Sequence, residues 1–139
     1  MRIVLDTNSL VGALVRPRGS SGRILDMWRR GDIELVASPA TLAEARLVLG
    51  AGWLARVVGE EAVRRLLDEL ADRAVMVEPE PVPNLGLKDR GDHDLVEAAV
   101  AAGAYYVVTA DREVLMHRGH ADVRFVTPPE FLAQWKNGR

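Results

Sequence analysis

Two short apolar runs in this chain end in an aspartate: Arg2-Ile3-Val4-Leu5-Asp6 and Tyr105-Tyr106-Val107-Val108-Thr109-Ala110-Asp111. Each has the length and the β-branched or aromatic content of a buried strand, and each acid stands where that strand must stop. In an open parallel sheet, ligands bind at the carboxyl ends of the strands. Carboxylates brought together there repel one another, and a cation relieves that repulsion. The residue types therefore point to a metal site.

Two further acids extend the pattern. Glu44 lies two turns into a helix opened by Ser38-Pro39. Asp92 heads an apolar stripe of Val96, Ala99, Val100 and Gly103 at helical spacing, which puts its side chain on the buried side of a first turn. An unpaired carboxylate is costly in such a place. Each acid alone has an ordinary role: Asp6, Asp92 and Asp111 as helix caps, Glu44 as a solvated helix residue. Together they form a set of oxygen donors, and such a set selects Mg²⁺ or Mn²⁺ over zinc. Asp6, Asp92 and Asp111 are the expected metal ligands, with Glu44 joining directly or through water. Asn8 and Thr109 are expected to orient them, and Asp94 is close enough to serve as a secondary ligand. Asp92-His93-Asp94 is not a calcium loop, because the third ligand and the turn glycine are missing.

The elements that must place these acids alternate. Residues 2–6 read as a strand, followed by a helix after Asp6 and a second helix at 21–30. Residues 33–37 form a strand, 39–49 a helix capped by Ser38, and 60–73 a periodic helix before a strand at 74–77. Pro79, Pro81 and Pro83 enforce an irregular connection up to Arg90-Gly91. Then come a helix at 92–102, a strand at 105–109, a short helix at 112–117, a strand at 123–126 and a helix from Pro128 to Trp135. The expected fold is a three-layer α/β/α sandwich with a central parallel sheet of about four to five strands, in a single domain over residues 1–139.

Apolar residues make up 48% of the 139 and charged residues 27%, a globular balance. The best apolar stretch, around Leu95 to Val108, is broken by Glu97, so no membrane span is expected. Asp6 comes too early for a signal-peptide core. With no cysteine, disulfides and thiolate metal sites are excluded, and a cytoplasmic location is the simplest expectation. The net charge of −2 does not advertise a nucleic-acid binder, but nearly all the basic residues are arginines, the side chain suited to bidentate phosphate contacts. Arg16, Arg18 and Arg23 flank the Gly19–Gly22 turn and are expected to grip substrate phosphates on the side where Asp6 emerges; a solvated loop is the plain alternative. His93, His117 and His120 do not make a zinc site, and His117–His120 reads as an exposed turn. Trp28, Trp53 and Trp135 read as core or subunit-interface residues.

In order along the chain, Val4-Leu5-Asp6-Thr7-Asn8, Ser38-Pro39 with Glu44, the Asp89-to-Asp92 loop leading into Val96-Glu97-Ala98-Ala99, Val107-Val108-Thr109-Ala110-Asp111 and Val126–Leu132 resemble the PIN-domain family of metal-dependent ribonucleases. The likeness is greatest to the subgroup assigned as toxins of bacterial toxin–antitoxin pairs. The resemblance implies that Asp6, Glu44, Asp92 and Asp111 are the four catalytic acids, that Mg²⁺ or Mn²⁺ is the cofactor and that RNA is the substrate. It also implies an antitoxin partner and a homodimer. Arg90-Gly91 and Asp94 depart from the subgroup's usual pattern.

Three competing readings remain at this stage. A Mg²⁺-dependent phosphatase-type α/β domain also puts aspartates at strand ends, but it needs a lysine at one, and Lys88 and Lys136 are not so placed. A catalytically silent protein- or RNA-binding module would keep the acids only as caps. The same chemistry would also cut DNA.

Overall fold

The structure is a computed structural model that describes residues 1–136. The chain begins with β1 (Arg2–Leu5), whose four residues feed directly into α1 (Thr7–Val15). It continues through α2 (Ser20–Arg30), β2 (Glu34–Ala37), α3 (Pro39–Leu49), α4 (Gly52–Val58), α5 (Glu60–Arg73) and β3 (Val75–Met76). After the proline-rich connection come α6 (Arg90–Ala102), β4 (Tyr106–Val108), α7 (Arg112–Leu115), β5 (Gly119–His120), β6 (Val123–Val126) and α8 (Pro128–Lys136).

The strands form one sheet in the order β3-β2-β1-β4-β6-β5, parallel except for β5. From β1 the chain moves to β2 and β3 on one side, then crosses back to place β4 on the other. The strand order therefore reverses between β1 and β4, which is where an open α/β sheet leaves a crevice at its carboxyl edge. Register keeps those ends level: Leu5 pairs with Val108, and Val108 with Val126. The amide of Asp6 extends the ladder by donating to Val108 O at 3.1 Å.

Alternation along the strands divides the interior into two layers. Ile3, Leu5, Leu35, Tyr106 and Val108 face one core with Ile24, Trp28, Leu49, Leu66 and Phe131 from the surrounding helices. Val4, Val36 and Val107 face the other, where α6 presents Val96, Ala98 and Ala99. Those alanines are fully buried, and their small side chains let α6 lie close to the sheet. Val77, Val82, Leu85 and Leu87 of the proline-rich connection pack against this second core, so the connection lies along the protein and delivers Asp89 to the start of α6.

Several boundaries differ from the sequence reading. The sheet has six strands, because residues read as an exposed turn form β5. A two-residue strand is too short to show period-2 alternation. Between the helices expected at 39–49 and 60–73 the chain forms α4, seven residues that bury Leu54. Helix α6 starts at Arg90, two residues before the expected start, because Asp89 caps it by accepting the Gly91 N–H at 2.8 Å. Trp28 is buried and carries the Arg73 guanidinium 5.0 Å from its ring centre; Trp135 stacks on Phe131, while Trp53 is about half exposed. Residues 137–139 of the expected domain lie outside the described residues. Among the described residues, no helix is long and apolar enough to cross a membrane.

Candidate active site

Asp6 follows β1 and is buried. One oxygen, Oδ1, accepts the Ser9 N–H at 2.9 Å and caps α1; the other, Oδ2, accepts the Thr109 hydroxyl at 2.5 Å. Thr109 is fully buried just past β4, and its Oγ1 also accepts the Asp111 N–H at 3.0 Å. Asp111 in turn caps α7 through the Glu113 N–H at 2.9 Å. A carboxylate has about four acceptor positions, so capping and ligation are not exclusive. The caps fix the orientation of both strand-end acids.

Glu44 reaches the same place from α3. That helix starts at a reciprocal pair of hydrogen bonds between Ser38 and Thr41, with Pro39 setting its first turn. Glu44 Oε2 accepts the Thr7 hydroxyl at 2.9 Å, which ties α3 to the first residue of α1. Glu44 Oε1 lies against Gly91, and a Cβ there would collide with it. Asp89 Oδ1 would be 3.2 Å from the same Cβ. Helix α6 thus approaches α3 with a glycine at the contact, and the carboxylates of Glu44 and Asp89 flank it.

Asp6, Asn8, Glu44, Asp89, Asp92 and Asp111 line one cleft of about 180 Å³, with Thr7, Val48 and Leu95 completing its wall. Burial pushes the Asp92 carboxyl up to about 8, helped by a hydrogen bond to Asp111 and by the negative charges of Asp111, Asp89 and Asp6. The protonated form is favoured because Asp92 is 8% exposed and surrounded by like charge. Among the described residues, no three His, Asp or Glu side chains are already drawn closely enough around one point to hold a metal ion. The donor set nevertheless fits a hard divalent cation: it is all oxygen, preoriented by caps, and strained by mutual repulsion that a cation would cancel.

The other predicted residues are placed differently. Asp94 does not line the cleft; it pairs with Arg90 Nε at 3.0 Å, because residues two apart on a helix point to different sides. His93 lies beside Glu97, Nε2 to Oε2 3.4 Å. Arg16 follows α1, whose nine residues carry the chain about 13 Å away from Asp6 at ~1.5 Å per residue. The Arg16, Arg18 and Arg23 segment therefore sits at the far end of α1, not on the side where Asp6 emerges. Asp89 and Glu113 were missed. Asp89 is readable as a cap three residues before Asp92, once the helix is started at Arg90. Glu113 Oε1 accepts the Lys88 N–H at 2.5 Å and so joins the end of the proline-rich connection to α7; a contact between residues 25 positions apart leaves no local sequence signal.

A family model described as PIN domain matches residues 2–113, which include every acid in the cleft. The chain belongs to the PIN-domain family. An uncharacterized protein of Methanocaldococcus jannaschii is 24% identical over 145 residues, covering 98% of this chain and 92% of its own. Among solved structures, this PIN domain is similar to a chain of VapBC2 from Rickettsia felis bound to a DNA fragment from its promoter: TM-score 0.59, 17% identity, 90% of this chain and 97% of that one. It is also similar to a chain of FitAB bound to the IR36 DNA fragment, at TM-score 0.58 and 24% identity over 91% of this chain and 94% of that one. A chain of FitAcB from Neisseria gonorrhoeae gives TM-score 0.53 and 22% identity, over 91% and 97%. At these identities the structural likeness is one of fold: a mixed α/β architecture with a central, mostly parallel sheet.

Proposed function

We propose that this PIN domain is an endoribonuclease that hydrolyses RNA phosphodiester bonds with Mg²⁺ or Mn²⁺, and that it is the toxin of a toxin–antitoxin pair. The observation that carries the chemistry is the meeting of Asp6, Glu44, Asp92 and Asp111 in one cleft, where burial first, and then the neighbouring acids, push Asp92 up to about 8. Separate local caps would have no reason to converge.

Asp6, Asp92 and Asp111 would hold the ion, with Glu44 and Asp89 lining the same cleft. Bound there, a divalent cation supplies a water of lowered pKa and positive charge against the phosphorus oxygens. The protein's own part is orientation. Ser9 and Thr109 fix both oxygens of Asp6, Glu113 fixes Asp111, and Thr7 fixes Glu44, so that little reorganisation remains when an RNA phosphate arrives.

The antitoxin partner is supported by the resemblance to the toxin subgroup and by the likeness of fold to chains of VapBC2 and FitAB. Leu47, Trp53 and Val57 expose 78, 47 and 62% of their surface on α3 and α4, a run of apolar side chains of the kind that a second copy or an antitoxin covers.

The test is cleavage of single-stranded RNA by the purified protein in Mn²⁺ and in EDTA, alongside Asp6→Asn. Cleavage should require the metal and fall by roughly 100-fold or more in the variant, which loses a charge aimed at the reacting centre. Undiminished cleavage by Asp6→Asn would end the assignment. Absence of both cleavage and Mn²⁺ binding by calorimetry favours a silent binding module.

A further inference from the structure

An acidic cleft repels the polyanion it is meant to cut, so affinity for RNA must come from cations beside it. Arg118 and Arg124 line a single groove of about 350 Å³, floored by Leu115, Phe125 and Val126. Among the described residues, neither guanidinium has a carboxylate within ion-pair distance; Arg16, Arg18, Arg23, Arg46, Arg56, Arg73 and Arg112 share that state, but Arg118 and Arg124 line one groove together. Glu130, the acid in the groove, spends Oε1 on the Thr127 N–H at 2.9 Å, and that bond holds its carboxyl below the usual range.

The groove and the cleft have no lining residue in common but are linked through two elements. Leu115 closes α7, the short helix that Asp111 caps. Val126 O accepts the N–H of Thr109, the residue that holds Asp6 and Asp111. Arg118 also occupies a left-handed backbone conformation, φ 60°, that a side chain of this size rarely adopts. It is pinned there: its N–H donates to Leu115 O at 3.0 Å and its O accepts from Phe125 N at 2.9 Å. A glycine would serve the turn with less strain, so Arg118→Gly separates the role of the turn from that of the side chain.

We propose that Arg118 and Arg124 bind the phosphate backbone of the single-stranded RNA as it leaves the acidic cleft along β6. Guanidinium groups grip phosphate oxygens in pairs, which suits two of them lining one groove. The assignment rests on the nuclease reading for the identity of the strand.

Full-length protein is titrated into a short fluorescein-labelled single-stranded RNA in EDTA, at several salt concentrations. The double variant Arg118→Ala/Arg124→Ala should raise Kd about tenfold or more and flatten the log–log salt slope by about 1.4, two contacts at ~0.7 each. An Arg16/Arg18/Arg23 triple alanine variant should change the slope far less. Arg118→Gly relieves the left-handed backbone, so its Tm should rise while RNA binding weakens; a higher Tm with unchanged binding would assign Arg118 to the turn alone and overturn the proposal. An unchanged Kd and slope in the double variant would do the same, even if the wild-type protein cleaves RNA. The opposite result, groove-dependent binding by a protein that never cleaves in Mn²⁺, would fail the nuclease reading and leave the groove assignment standing.

Discussion

The Thr109 hydroxyl donates to Asp6 Oδ2 across the join between β1 and β4, two strands whose residues here are 103 positions apart in sequence. Thr109 Oγ1 also accepts the Asp111 N–H. One buried hydroxyl therefore sets the spacing between both strand-end acids, at the point where the order of the sheet reverses. Thr109 itself is fully buried.

Thr109→Val keeps the shape and deletes the bond. It leaves Asp6 Oδ2 and the Asp111 N–H without that partner, at a cost of about 1–3 kcal/mol for each unsatisfied group. Urea denaturation should show this loss, and Mn²⁺ affinity should fall roughly 10- to 100-fold, as when the orienting partner of a ligand is removed. Thr109→Ser should restore most of both. A valine variant with native Mn²⁺ affinity would show that the acids are placed without this hydroxyl.

How much of this was legible beforehand follows from the kind of signal each residue carries. A parallel strand buried on both faces is an unbroken apolar run, so β1 and β4 stood out with an acid at each end, and Asp92 followed from its stripe on α6. Asp89 was hidden by a two-residue error in the helix start, because capping by a side chain is read only after the first turn is fixed. The Arg16 segment was misplaced for a different reason. Nearness in sequence to Asp6 is not nearness in space here, because a nine-residue helix lies between them. Glu113 and the Arg118–Arg124 groove depend on contacts between α7, β5, β6 and the proline-rich connection, and no local period encodes those.

Asp92 gives a pH dependence with a definite sign. Its carboxyl is raised from 3.8 to about 8 in the folded protein, so across that window the folded state holds a proton that the unfolded chain has released. The contribution of Asp92 to stability without metal is therefore full in acid and declines as pH rises from about 4 to about 8. Asp92→Asn, which is neutral throughout, should flatten this part of the profile and raise Tm at pH 8. A divalent ion competes with the proton, so Mn²⁺ should raise Tm more at pH 8 than at pH 5. Melting curves in EDTA and in Mn²⁺ across this range check all three; identical profiles for wild type and Asp92→Asn would mean that Asp92 titrates as an ordinary acid.

Gly91 is the position at which α6 meets α3, and the glycine matters for the absence of a Cβ. A methyl group there would run into Glu44 Oε1 and crowd Asp89 Oδ1. Gly91→Ala has a compensating gain, since alanine suits the first turn of a helix better than glycine by up to ~1 kcal/mol. The two effects separate in measurement. Overall stability should change little, while Glu44 is pushed off its bond from Thr7 and Mn²⁺ affinity falls about tenfold. The double variant Gly91→Ala/Glu44→Ala should show little further loss beyond Glu44→Ala alone, because the alanine methyl then meets only Asp89 Oδ1, at 3.2 Å. Additive losses in that cycle would place the effect of Gly91 in the α6 backbone and not at its contact with Glu44.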